Sequence, residues 1–310
     1  MTLPDRVTIV DVGPREGLQN ESVMVPTDVK IAFIDRLAAT GLQVVEATSF
    51  VHPRWVPQLA DAAEVLEGIT PVDGVRYPVL VPNETGLNRA LDAGVSEVAV
   101  FGAASEAFSK RNLNRTIDES LEMFAPVVRR ATAAGLRVRG YVSTVLGCPF
   151  QGEVPHADVA RMATALFDLG VAEVSLGDTI GVGTAGQVLE LLEALQPVTD
   201  FDRLAVHMHD TYGQGLANTL AAFEAGVTIA DTSAGGLGGC PFAPGATGNL
   251  ATEDLVWALE RSEVETGVDL TALVDTTAWM AEQLGRAPHA AAVRAILSKR
   301  AADLSDPFAY

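Results

Sequence analysis

Two histidines, His207 and His209, flank one methionine at the end of the apolar run Leu204 to Met208. On a strand, residues two apart leave the same face, so both imidazoles can meet one cation without strain. Two histidines satisfied by ordinary hydrogen bonds would show the same short pattern, but acids close other strand-like runs: Glu16 after Val7–Val10, Glu46 after Val44–Val45, and Asp178 after Glu173–Leu176. An ion bound by two imidazoles, one carboxylate and a carbonyl oxygen, with positions left for substrate and water, suits Mg²⁺ or Mn²⁺ better than a sulfur-rich structural zinc site.

Arg15 and Glu16 form a cation–anion doublet that on a surface would contribute little. With Glu16 given to a metal, Arg15 is left facing substrate, where a permanent guanidinium can stabilise an oxygen gaining negative charge. Glu46 and Asp178 read equally well as catalytic groups and as buried acids holding an arginine or histidine. Gly235-Gly236-Leu237-Gly238-Gly239-Cys240-Pro241 reads as a mobile lid, too flexible for a core element. Cys240 on such a lid is either a small apolar residue or a thiol tuned for proton transfer. Cys148 keeps the apolar reading.

These residues need a scaffold that brings distant strand ends together. An internal echo supplies it: a helix-like stretch ends in Gly41, Gly94, Gly135, Gly170 or Gly226, and a short β-branched run follows each time. Each glycine can adopt the left-handed conformation that ends a helix and turns the chain into a strand. With Val7–Val10, Arg76–Val81 and Leu204–Met208, the strands number eight. Between them lie helical repeats such as Val29, Phe33 and Leu37 after a capping Thr27. Strict alternation implies parallel strands with right-handed crossovers, and eight units in ~260 residues fit a closed α/β (β/α)8 TIM barrel better than an open doubly wound sheet. No Gly-x-Gly-x-x-Gly follows the first strand to favour the open sheet. The expected organisation is one domain, residues 1–310, with the barrel over about 5–262 and two additional C-terminal helices, Asp269–Leu284 and Ala287–Ser298, within about 266–300.

Composition narrows the function classes. The chain has 21 basic and 40 acidic residues among 310, a net charge of −19, which argues against a nucleic-acid partner. It is 48% hydrophobic with charge or glycine interrupting every apolar run, so a large core is expected and a membrane span is not. Two cysteines, and an N-terminus without a signal core or transit-peptide character, point to a soluble protein of the reducing cytoplasm.

Several segments together resemble the 3-hydroxy-3-methylglutaryl-CoA lyases of the metal-dependent lyase and Claisen-condensation barrel superfamily. They are Val12 to Glu21, Glu46 to Val51, Phe101 to Glu106, Arg139 to Ser143, Ser175 to Gly181, His207 to Gln214, Gly236 to Pro241 and Gly248 to Asp254, and the resemblance covers nearly the whole chain. It implies cleavage of a 3-hydroxy-3-methylglutaryl thioester to acetyl-CoA and acetoacetate, a step of leucine degradation and ketone-body formation. It also implies Glu16, His207, His209 and Asn249 as metal ligands, and Arg15 on the thioester oxygen. Glu46 and Asp178 would orient the site, Cys240 would be the lid acid/base, and Gln19, Arg139, Tyr141, Ser175 and Thr179 would face substrate. An acyl-CoA is thereby the expected partner and a homodimer the expected assembly. Lyases of this kind usually carry Asp where this chain has Glu16, whose extra methylene moves the carboxylate by over ~1 Å; related condensing enzymes use Arg-Glu-Gly there. Asp11 stands where the lyases commonly have Glu. The alternatives are a lyase for a related branched 3-hydroxyacyl-CoA, a Claisen-type condensing enzyme, and a non-catalytic acyl-CoA- or metal-binding barrel. Lys110, Arg111 and Arg115 are weak phosphate candidates beside a plain solvated helix entrance.

Overall fold

Residues 2–239 and 248–302 are described in a computed structural model of the chain. Parallel strands follow one another with helices between: β1 (Thr8–Asp11), α1 (Thr27–Ala38), β2 (Val44–Val45), β3 (Thr48–Ser49), α2 (Ala62–Gly68), β4 (Val79–Leu80), α3 (Glu84–Asp92), β5 (Glu97–Ala103), α4 (Glu106–Leu113) and α5 (Ile117–Ala133). The second half continues with β6 (Arg137–Ser143), α6 (His156–Leu169), β7 (Glu173–Asp178), α7 (Ala185–Leu195), β8 (Leu204–Met208), α8 (Gly215–Glu224), β9 (Ile229–Thr232), α9 (Thr252–Arg261), α10 (Leu270–Leu284) and α11 (Ala291–Ala301).

The nine strands form one sheet in the order β2-β1-β9-β8-β7-β6-β5-β4-β3. Its two outermost members, β2 and β3, are separated by only Glu46 and Ala47, so the sheet must curl until its ends meet. Glu46 N–H donates to Asp11 O on one side and Ala47 N–H to Pro78 O on the other, which bridges that join. The result is a parallel curled sheet wrapped by helices, an α/β TIM-barrel-like fold. The second strand, expected to end at Glu46, is thus interrupted there and resumes to Ser49. Thr27 is the first residue of α1 rather than its cap, and its hydroxyl donates to Asp61 Oδ2 (2.7 Å).

Alternation along the strands decides which side chains meet inside. On β6, Val138 and Val142 point out into the main apolar core, leaving Arg139 and Tyr141 to face inward. On β7, Val174 and Leu176 pack outward and Glu173 and Ser175 face in; on β8, Val206 and Met208 pack outward and His207 faces in. All five glycines of the helix-to-strand echo have φ between 74° and 111°. Gly41 shows why no other residue serves, because a Cβ there would sit 2.1 Å from Gly267 O.

Candidate metal centre and active site

β1 ends at Asp11, and the chain makes one wide helical turn, Gly13–Gly17, in which Gly17 N–H reaches back five residues to Val12 O (3.2 Å). Asp11 sets this turn by accepting from Gly13 N–H (2.8 Å) and from the Thr252 hydroxyl (2.7 Å). The turn aims Glu16 at the end of β8. Glu16 Oε1 lies 3.2 Å from His207 Nε2 and 3.5 Å from His209 Nε2, and the two Nε2 atoms are 3.3 Å apart. Among the described residues, Glu16, His207 and His209 form the group whose ligand atoms all lie within 4.8 Å of one another.

Asn249 joins them from a different direction. Asp210 N–H donates to Gly248 O and Leu250 N–H to Met208 O, which lays residues 248–250 antiparallel against the end of β8 with Asn249 across from His209. The Asn249 amide donates to Leu237 O (3.0 Å), whereas its Oδ1 is buried with no hydrogen-bond partner among the described residues. Two imidazoles and a carboxylate brought together, with a buried carbonyl oxygen left without a partner among the described residues on the residue paired with His209, make the donor types of a divalent-cation site, so these residues fit the metal.

The charges are arranged for it. Burial alone pushes the Glu16 carboxyl up, but His207 and Arg15 hold it well below the usual carboxylate range. Burial likewise lowers His207, and the charge of Glu16 with the hydrogen bonds that His207 donates to Asp231 and Glu16 more than reverses this, raising it to about 10. Two carboxylates, Glu16 and Asp231, thus face the one imidazole of His207.

Arg15 is buried with its guanidinium between two carboxylates: Nε donates to Glu46 Oε2 (2.6 Å) and Nη1 lies 3.0 Å from Glu16 Oε2. It also faces the Tyr141 ring at 5.3 Å. Glu46 is raised by burial against the pull of Arg15, and its Oε1 has no partner among the described residues. Asp178 holds backbone: its carboxylate accepts from Val182 N–H (3.2 Å) and Gly183 N–H (2.8 Å), shaping the loop after β7.

The other expected substrate-facing residues divide. Thr179 is half-buried and accepts from Thr144 N–H (2.8 Å), and Gln19 is half-buried just beyond the Glu16 turn. Arg139 and Ser175 sit deeper, spent on protein partners. Arg139 donates to Glu173 (2.5 Å), the Tyr141 hydroxyl (2.9 Å) and both oxygens of Asp231 (2.5 and 3.1 Å), while Ser175 donates to Asp231 (2.7 Å). Asp231 and Glu173 had no functional reading in the sequence. The sequence offers only a partial signal, acids on otherwise apolar strands; that they sit in register with Arg139 and His207 is visible only in the sheet.

The glycine run is not wholly a free loop. Ala234, Gly235 and Gly236 form a buried turn with both glycines at positive φ, and Gly235 N–H donates to the Glu253 carboxylate (2.9 Å). Cys240, the expected lid acid/base, lies outside the described residues. Cys148 is buried, 2.9 Å from the Ser105 hydroxyl.

The HMGL-like family model matches residues 6–280. The chain belongs to the HMGL-like family. It is 56% identical over 285 residues to the mitochondrial hydroxymethylglutaryl-CoA lyase of Bos taurus, covering 92% of this chain and 88% of that protein. Its fold matches the crystal structure of hydroxymethylglutaryl-CoA lyase from Pseudomonas aeruginosa with a TM-score of 0.95 and 51% identity, over 96% of this chain and all (100%) of the other. An HMG-CoA lyase from Acinetobacter baumannii, solved with coenzyme A and 3-methylmalate, matches at 0.90 and 36% identity over 95% of this chain and 96% of its own.

Proposed function

We propose that the protein is a divalent-metal-dependent carbon–carbon lyase that cleaves 3-hydroxy-3-methylglutaryl-CoA to acetyl-CoA and acetoacetate. The observation that carries the reading is the convergence of Glu16, His207 and His209, with Asn249 paired across from His209 and its Oδ1 unpartnered among the described residues, on a chain of this family. Mg²⁺ or Mn²⁺ is the proposed ion, since the donors are oxygen and imidazole without thiolate. Held by these four residues, it supplies the Lewis acidity that makes a tertiary hydroxyl easier to deprotonate.

The protein's own groups do the rest. Arg15, pinned by Glu46 and Glu16, presents a positive charge that needs no reorganisation when the thioester oxygen becomes an enolate. Glu46 and Asp178 keep Arg15 and the loop after β7 in place, Glu46 leaving Oε1 for the substrate. Gln19, Tyr141 and Thr179 line the approach, and Cys240 gives the departing enolate carbon its proton. Residues 1–310 work as one domain, a barrel of eight strand positions, β2 and β3 together filling one of them, carrying helices α10 and α11, and as a homodimer. Among the described residues no helix is long and apolar enough to cross a membrane, and two cysteines agree with a cytoplasmic setting.

The test is a coupled assay for acetoacetate from 3-hydroxy-3-methylglutaryl-CoA. Chelator-stripped protein is expected to be inactive, and added Mg²⁺ or Mn²⁺ to restore turnover. Tight metal binding without turnover of any branched 3-hydroxyacyl-CoA would overturn the assignment in favour of a binding protein.

A further inference from the structure

His207 and His209 are not equivalent. The outer nitrogen of His209, Nδ1, is buried with no hydrogen-bond partner among the described residues. The outer nitrogen of His207 faces a carboxylate: Nδ1 lies 3.2 Å from Asp231 Oδ2. Strand register makes this unavoidable, because His207 of β8 pairs with Asp231 of β9. The acid is itself held. Arg139 grips both its oxygens, the Ser175 hydroxyl donates to Oδ2 (2.7 Å), and Glu173 holds Arg139 from the far side (2.5 Å). Tyr141 completes the cage, accepting from Arg139 and standing edge-on to the His207 ring at 6.3 Å and 89°.

We propose that Asp231, anchored by Arg139 and Ser175, is a positioning residue that fixes the tautomer and tilt of His207, with Arg139 and Ser175 serving the metal centre from behind rather than touching substrate. A neutral imidazole has one N–H and one lone pair. A carboxylate at Nδ1 accepts the N–H, so the lone pair falls on Nε2, the atom that faces Glu16 and His209. A fully buried carboxylate can hold that role only while its charge is balanced, which Arg139 does through two parallel N–H···O bonds. His209, with no such anchor among the described residues, is the ligand whose ring is the less constrained.

The inference rests on the metal-centre reading, and its experiment separates the two. Free Mn²⁺ is titrated by electron paramagnetic resonance into chelator-stripped parent protein and Asp231→Asn. The amide keeps the volume but loses the charge and places a donor against Arg139, Ser175 or His207. Mn²⁺ affinity is expected to fall about 10–100-fold in the variant, with its thermal transition still cooperative. Equal affinity in a folded variant overturns the inference; no Mn²⁺ binding by the parent overturns the metal centre itself. Should Asp231→Asn fail to fold, long-range ¹H–¹⁵N spectra of the Mg²⁺-loaded parent decide. A His207 ring protonated at Nδ1 supports the anchor, and one protonated at Nε2 refutes it.

Discussion

Arg15 is buried among opposite charges, and its shape matters as much as its charge. Its Nε and Nη1 reach two different carboxylates, Glu46 at 2.6 Å and Glu16 at 3.0 Å, which a single ammonium on a flexible stem cannot do in the same geometry. Arg15→Lys is therefore expected to keep the charge and lose the fork. Steady-state kinetics should show kcat reduced by about 10²–10³-fold with a smaller change in KM, as when a preorganised oxyanion partner is lost; near-parental kcat would mean that the charge alone suffices. At this scale the sequence was legible wherever spacing encodes geometry. His207 and His209 could be paired because strand periodicity is two, and Glu16 because it follows a strand end. Asp231 and Glu173 were not, since nothing in a lone acid on an apolar strand reveals which neighbouring strand it lies beside until the register is known.

The elements show the same division. Helix-to-strand junctions announced themselves through glycine, and all five adopt the left-handed conformation expected of them. The interruption of the second strand at Glu46-Ala47 was hidden, because it arises from pairing with two different partners, β1 and β4, and not from any local breaker. The glycine run shows a similar limit: its glycine content reads as flexibility, whereas Gly235 and Gly236 use positive φ to form a turn packed under α10. Gly248 is the sharpest case. It has φ +90°, and a Cβ there would lie 2.0 Å from Gly238 O, in the short segment that seats Asn249 against β8. Gly248→Ala must displace that segment. It is expected to weaken Mn²⁺ retention and to cost about 1–3 kcal/mol of stability, read by metal titration and denaturant unfolding. Parental values for both would mean that Asn249 is seated by something other than this backbone.

Over the whole molecule, the start of α9 ties the first strand to the last helices. Thr252 donates to Asp11 of β1, and the next residue, Glu253, accepts from Gly235 N–H and from the Thr277 hydroxyl of α10. Among the described residues these two acids face hydroxyls and backbone rather than a cation, and burial dominates: Asp11 rises to about 6 despite Thr252, Gly13 and Ala234, and Glu253 to about 8 despite Thr277 and Gly235, with the Asp11 charge adding to it. The consequence for stability has a definite sign. Below the ordinary carboxyl value of 4.5 both folded and unfolded Glu253 are protonated; between 4.5 and about 8 only the folded form keeps the proton, so each rise in pH favours unfolding, up to about 1.4 kcal/mol per unit. Above about 8 the folded form ionises as well and the loss levels off. Glu253→Gln carries no proton to lose and keeps a carbonyl oxygen to accept from Gly235 N–H, while its amide N–H faces the Thr277 hydroxyl, which turns from donor to acceptor. Urea unfolding of both proteins across this range is expected to show the stability of the glutamine variant gaining on the parent as pH rises, by on the order of 1 kcal/mol per unit. A difference that stays flat would mean Glu253 is ionised in the fold throughout, and the junction of α9, β1 and α10 would then be held by charge rather than by a shared proton.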